Sequence, residues 1–262
     1  LIVNSDSTLL TYQHFKGETF HSVGVGALLA LIGVLIIAVM LIKQVKGAIL
    51  YGILLTWILG MLCQVTGLYV PTPDAGFYSL FPSWGMTDFS RLGLTFGQCF
   101  NVDFSAVGIV NFIVVIFSFL FVDIFDTLGT LIGVATKAKM LDKDGKLPNI
   151  KGALLSDAVG TTVGAVCGTS TVTTFVESAS GVAEGGRTGL TSIVAGILFA
   201  LSLLLSPIFL AIPSFATAPA LIVVGYLMLT SVTKIDFSDM TEAIPCFIAI
   251  IAMPFMYSIS EG

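Results

Sequence analysis

Charged side chains are scarce in this chain, and their scarcity decides the class of protein. Only 10% of the 262 residues are Asp, Glu, Lys or Arg, while 56% are hydrophobic and the mean hydropathy is +1.02; an ordinary soluble domain carries about 25% charge. Water cannot solvate such a surface, so the expected fold class is an all-α polytopic membrane protein. With eleven basic residues against sixteen acidic ones, there is no basic patch of the kind that nucleic acid requires. Cysteine is also sparse. The four residues, Cys63, Cys99, Cys167 and Cys246, form no CxxC pair, which excludes a disulfide framework or a zinc site as the organising device. The two histidines, His14 and His21, lie near one span end without further ligands nearby, so no metal or cofactor is expected. No P-loop Lys follows a glycine-rich turn and no HExxH occurs, which removes nucleotide hydrolysis and zinc proteolysis. A signal peptide's charged leader and an initiator Met are missing as well, and the expectation is an internal piece of a longer protein.

Long apolar runs are what the chain has in abundance. A helix needs about 20 mainly apolar residues to cross the hydrocarbon core, and residues 22–42 and 47–69 supply them on either side of the basic connector KQVKG. A run over 105–136 is longer than one crossing needs and would have to tilt or project. Further spans are expected at 153–168, 190–211, 218–233 and 242–260. If residues 47–69 and 105–136 form an out-and-back pair, then Lys43, Lys46, Lys137, Lys139, Lys143, Lys146, Lys151, Arg187 and Lys234 share one side, and Lys16 and Arg91 oppose them. The positive-inside rule makes the first side cytoplasmic. The intervening loop, rich in Pro, Gly and aromatic residues, is expected to pack as an outer cap.

Against this background two acidic positions stand out. The long span reads FLFVDIFDTLG, uncharged from Ser105 to Val122 and then carrying Asp123 and Asp126 three residues apart on one helical face. Asp126 precedes Lys137 by 11 residues, or roughly 16 Å at a rise of about 1.5 Å per residue, which is near mid-bilayer. Ionisable groups at that depth are costly and usually line a solute or ion pathway. The second is Glu177, in GTSTVTTFVESASGVAEGGRTG. Five hydroxyls in six residues, with β-branched Thr and Val, favour extended backbone, and the small residues after it suit a half-helix. Non-helical backbone at membrane depth persists only when buried in protein or lining a cavity. A half-helix N-terminus beside a carboxylate can grip a polar, planar solute. Farther on, Glu184 and Arg187 are three residues apart and suit a local ion pair.

With these motifs, and with TEAIPCFIAIIAMPFMYSISEG at the end, the chain resembles the nucleobase-ascorbate transporter superfamily (the xanthine/uracil permease family), most closely its adenine, guanine and hypoxanthine branch. The resemblance implies a fold of two inverted repeats of seven segments, with core and gate domains, of which only part is present. On that pattern, residues 1–69 end the first repeat with the sixth and seventh segments (gate), 70–104 form the outer loop, 105–211 are the core domain of the second repeat (eighth to eleventh segments), and 212–262 are gate helices (twelfth and thirteenth). It also implies a broken tenth segment with a short β-strand. Carried over by motif, the eighth-segment acid is Asp126 and the tenth-segment acid is Glu177. Phe175 and Val176 line the base, and Thr130 sits one turn below Asp126; Asp123, Thr174 and Ser178 are supporting positions. The function implied is proton-coupled uptake of purine nucleobases across the cytoplasmic membrane, without enzymatic turnover. Asp126 and Glu177 carry the proton coupling, protons are preferred to sodium, and a homodimer is left open. From the residues alone two rivals stay open, an ion channel selected by its carboxylates and an intramembrane aspartyl hydrolase.

Overall fold

The computed structural model describes residues 18–73, 76–101, 108–229, 232–233 and 235–256. His14, Lys16, Lys234, the expected start of the long span at Ser105 and the last residues of the final span lie outside the described residues. Among the described residues there are eight helices of six or more residues: α1 (Val23–Ile42), α2 (Ala48–Val65), α3 (Ile109–Ala138), α4 (Ile150–Cys167), α5 (Ser178–Ala183), α6 (Gly189–Leu204), α7 (Ser214–Leu229) and α8 (Met240–Met256). The first four are long and apolar enough to cross a membrane, while α6, α7 and α8 are shorter apolar helices. The long run forms one unbroken helix of 30 residues, about 45 Å against a core of about 30 Å, so the expected excess length is real. Where the observed bounds depart from the expected ones, proline explains part of the shift. The span expected to run to 211 stops at Leu204, and Pro207 opens a separate turn over Ser206–Phe209, proline being tolerated in a first helical turn but not in an interior.

The expected short strand is not formed. Residues 171–175 are non-helical, yet the one β-bridge among the described residues joins Thr72 to Phe77. A strand exists only when a second backbone supplies the ladder, and here the Val172 carbonyl instead accepts the Thr161 hydroxyl at 2.6 Å.

The chain divides into two compact units. The first comprises residues 1–87 and 184–226. In it α1 and α2 pack closely because small residues let their backbones approach. A Cβ on Gly52 would sit 2.1 Å from Ile37 Cγ1, and one on Gly33 would sit 2.7 Å from both Pro219 Cγ and Thr56 Oγ1. Val25, Leu29, Ala30, Trp57, Tyr69, Leu80, Phe215 and Ala216 form the core. The first part of the loop after α2 packs back against that helix. Trp57 Nε1 donates to the Leu80 carbonyl at 2.9 Å, the Leu80 N–H donates to Gln64 Oε1 at 2.8 Å, and the Tyr69 hydroxyl donates to the Tyr78 carbonyl at 3.2 Å. Beyond it Trp84 and Met86 are exposed. Glu184 takes the Gly47 N–H at 2.9 Å, where α2 begins. Because Ile37 is fully buried, Gly52→Val is expected to destabilise this unit by about 1–3 kcal/mol through overpacking. A lower midpoint in a detergent thermal-unfolding scan would show it, and an unchanged midpoint would contradict the packing described.

The second unit comprises residues 88–183 and 227–262. It holds α3, α4, the break and α5, with α3 packed against α5. Gly168 closes α4 in the left-handed region at φ +79°, and a Cβ there would lie 2.4 Å from the Thr95 carbonyl oxygen. Glycine is therefore required twice over, for its dihedral and for the close approach.

Candidate functional site

Polar positions on α3 recur at helical spacing. Asp123, Asp126, Thr127 and Thr130 fall at i, i+3, i+4 and i+7 and so share one face. That face is the inward one: Thr127 and Thr130 are 1% and 4% exposed, and both acids are half-buried, whereas Phe117, Phe121 and Phe125 of the same helix are exposed. An apolar trough of about 450 Å³ follows those phenylalanines with Ile113, Val114, Ser118 and Val122. None of the site acids lines it, so it has the character of a lipid- or helix-facing groove rather than of a polar solute site.

The break between α4 and α5 lies where the hydroxyl-rich sequence places it. Residues 171–175 are non-helical, Val176 and Glu177 form a turn, and α5 starts at Ser178. The first turn of α5 uses the carbonyls before it: Ser178 N–H donates to Phe175, Ala179 N–H to Val176 and Ser180 N–H to Glu177, at 3.1, 3.0 and 2.9 Å. The N–H groups of Phe175, Val176 and Glu177 donate to no other group among the described residues. Three main-chain donors therefore stand beside an exposed carboxylate, the orphan-donor arrangement that helix starts share.

Hydroxyls tie the break to both neighbouring helices. Thr127 Oγ1 on α3 donates to Asp157 Oδ2 on α4 at 2.9 Å and meets Thr173 Oγ1 at 2.9 Å. A hydroxyl has one proton, so Thr127, having given its own to the carboxylate, accepts from Thr173. Thr174 Oγ1 donates to the other oxygen, Asp157 Oδ1, at 3.4 Å. One further acidic atom is distinctive: Asp123 Oδ1 is buried with no hydrogen-bond partner. A buried acceptor left unpaired is costly and marks a place where a ligand's N–H could be taken.

Of the residues singled out from sequence, Asp123, Asp126 and Thr130 lie on the inward face of α3, and Thr174 is half-buried in the hydroxyl network. Phe175, Val176, Glu177 and Ser178 are exposed at the turn into α5. Sequence reasoning missed Asp157 and Thr127. The signal for Asp157 was a lone carboxylate followed by Thr161 and Thr162 within an otherwise uncharged span, SDAVGTTVGAVC.

Two half-buried acids on one helix, together with a broken, hydroxyl-lined segment that has unspent main-chain donors, make an arrangement that can take a polar solute. A sequence profile described as "Permease family" matches residues 9–262. The chain is 42% identical over 268 residues to the guanine/hypoxanthine permease PbuO of Bacillus subtilis, with 100% of this chain and 56% of the relative covered. It is 41% identical over 262 residues to the guanine/hypoxanthine permease PbuG of the same organism, covering 100% and 54%. It is 39% identical over 265 residues to the adenine permease AdeP of Escherichia coli, again covering 100% and 54%. The chain belongs to this permease family, within the nucleobase-ascorbate transporter superfamily, and is a multi-pass membrane protein. It spans about half the length of the curated relatives it matches.

Proposed function

We propose that the polypeptide containing this chain is a secondary active transporter that takes up purine nucleobases, adenine, guanine or hypoxanthine, across the cytoplasmic membrane in symport with protons. The observation that carries the reading is the break itself: unspent N–H groups at Phe175, Val176 and Glu177 next to the Glu177 carboxylate, on a segment hydrogen-bonded to the helices that carry Asp157 and the α3 acids. A purine is flat and edged with alternating donors and acceptors. A carboxylate can accept two ring N–H bonds while main-chain N–H groups donate to a ring nitrogen or carbonyl. Glu177 is the acceptor in this reading, with the Phe175 ring and Val176 backbone against the base, and Thr130, Thr174 and Ser178 in support. The unpaired oxygen of Asp123 is a further acceptor of the same kind. Asp126, deep on α3, is the group that takes a proton on one side and releases it on the other. The division into core (105–211) and gate segments (1–69 and 212–262) belongs to this proposal, as does the inverted repeat. The names of PbuO, PbuG and AdeP support the substrate class.

Uptake of labelled adenine, guanine and hypoxanthine by cells lacking their own purine permeases tests the reading. Saturable uptake that a protonophore abolishes is the expected result. Uptake that does not saturate, or that follows a sodium gradient and ignores the pH gradient, would refute it.

A further inference from the structure

We propose that Asp157 is a positioning residue for the substrate site: through its two oxygens it sets the path of the broken segment, and with it the placement of the Phe175–Glu177 main chain, relative to α3. The inference rests on the transport reading above for the identity of the ligand, but the geometry that motivates it does not.

Asp157 lies within the membrane-length helix α4, seven residues after Ile150 and ten before Cys167, and is half-buried. An ionisable group there is costly unless its acceptors are occupied. They are occupied by hydroxyls from two different elements. Thr127, 1% exposed on α3, fills Oδ2, and Thr174 in the break fills Oδ1. Thr127 in turn receives Thr173. Two consecutive residues of the non-helical stretch are thus tied to one carboxylate, Thr174 directly and Thr173 through one intermediate hydroxyl. Glu177 is three residues beyond Thr174, about 10 Å of chain at full extension, so a change in direction at Thr174 is carried into the position of the Glu177 carboxylate.

The residue type matches the task. Both partners donate, and only a carboxylate offers an acceptor at each end. Asn would leave one end as an NH₂ group facing a hydroxyl that must turn round to accept. This role differs from that of the α3 acids, because the bonds Asp157 makes are internal and occupied.

The test uses the complete polypeptide, reconstituted in liposomes for adenine or hypoxanthine uptake and in detergent for amide hydrogen exchange. Asp157→Asn is expected to raise KM about tenfold while retaining measurable maximal uptake. Thr174→Val should raise KM in the same direction, and Thr174→Ser, which restores the hydroxyl, should return it to near wild type. Amides of residues 171–177 should exchange faster in Asp157→Asn and Thr174→Val but not in Thr174→Ser, with α4 unchanged. Should Asp157→Asn fail to fold, the Thr174 pair decides. The proposal is overturned if Thr174→Val keeps both the wild-type KM and the wild-type exchange, or if Thr174→Ser behaves like Val. If the wild type shows no saturable purine uptake while the exchange pattern holds, the transport reading fails and the positioning role stands.

Discussion

Glu177→Gln in the complete polypeptide is expected to weaken purine binding roughly 30-fold to 1000-fold, equivalent to about 2–4 kcal/mol. The change keeps the side chain's volume and replaces one acceptor oxygen with an NH₂ donor. In the structure the carboxylate has no hydrogen-bond partner among the described residues, and the N–H groups of Phe175, Val176 and Glu177 are unspent. The wild-type side chain therefore loses no internal bond when it turns to a ligand, and the variant has no internal bond to fall back on. Once a base covers the turn, a ring N–H set against the new NH₂ is a donor facing a donor, and the charge-assisted bond is gone. Glu177→Asp retains the charge but retracts it by one methylene, so it should weaken binding less than Gln does. Affinities measured by equilibrium binding to purified wild type and both variants decide the matter. Near-wild-type binding by Glu177→Gln would mean that the base is held elsewhere.

The parts of this molecule that were legible in sequence are those with a one-dimensional cause. Twenty apolar residues bounded by KQVKG make a spanning helix with little help from the rest of the fold, and α1 and α2 fall within a few residues of the expected spans. The break at 171–177 was legible for a related reason: Thr and Val in TSTVTT disfavour helix locally, and SASGVA permits it again. The strand was not legible in the same sense, because pairing is a property of two segments, and local propensity at residues 169–174 says nothing about whether a partner backbone arrives. Asp157 failed for another reason. Its meaning lies in Thr127 and Thr174, 30 and 17 residues away, and threonine is so common in membrane helices that neither position is a signal until the contacts are seen. The Trp57 to Leu80 bond that anchors the loop after α2 is of the same kind, a side chain meeting a backbone 23 residues on. The motif resemblance selected Asp126 over Asp123, whereas burial draws attention to Asp123 through its unpaired oxygen. The two criteria answer different questions, one about position in a motif and the other about an unmet bond, and they can be separated by experiment.

Asp126→Asn is expected to abolish accumulation driven by a pH gradient while leaving exchange of internal for external purine. In the observed helix eleven residues separate Asp126 from Ala138, which closes it, and seventeen precede it from Ile109; at about 1.5 Å per residue that is about 18 Å from one end and about 26 Å from the other, which on the proposed function places it inside the hydrocarbon region. A carboxylate at that level is easiest to move across the membrane when protonated. If one proton accompanies each base, a gradient of one pH unit can support about tenfold accumulation, since a pH unit is worth about 1.4 kcal/mol. Asn resembles the protonated acid permanently: the site can reorient but takes up and releases no proton, so the accumulation ratio should fall to about one. Asp123→Asn provides the contrast. Its unpaired oxygen predicts that the amide weakens purine affinity, by about tenfold for one lost hydrogen bond to a charged acceptor, while the purine that does bind is still accumulated. Accumulation ratio and KM measured side by side in proteoliposomes separate the two acids. If Asp126→Asn accumulates purine like wild type, the coupling role is misassigned. If Asp123→Asn is the variant that equilibrates, that role belongs to Asp123.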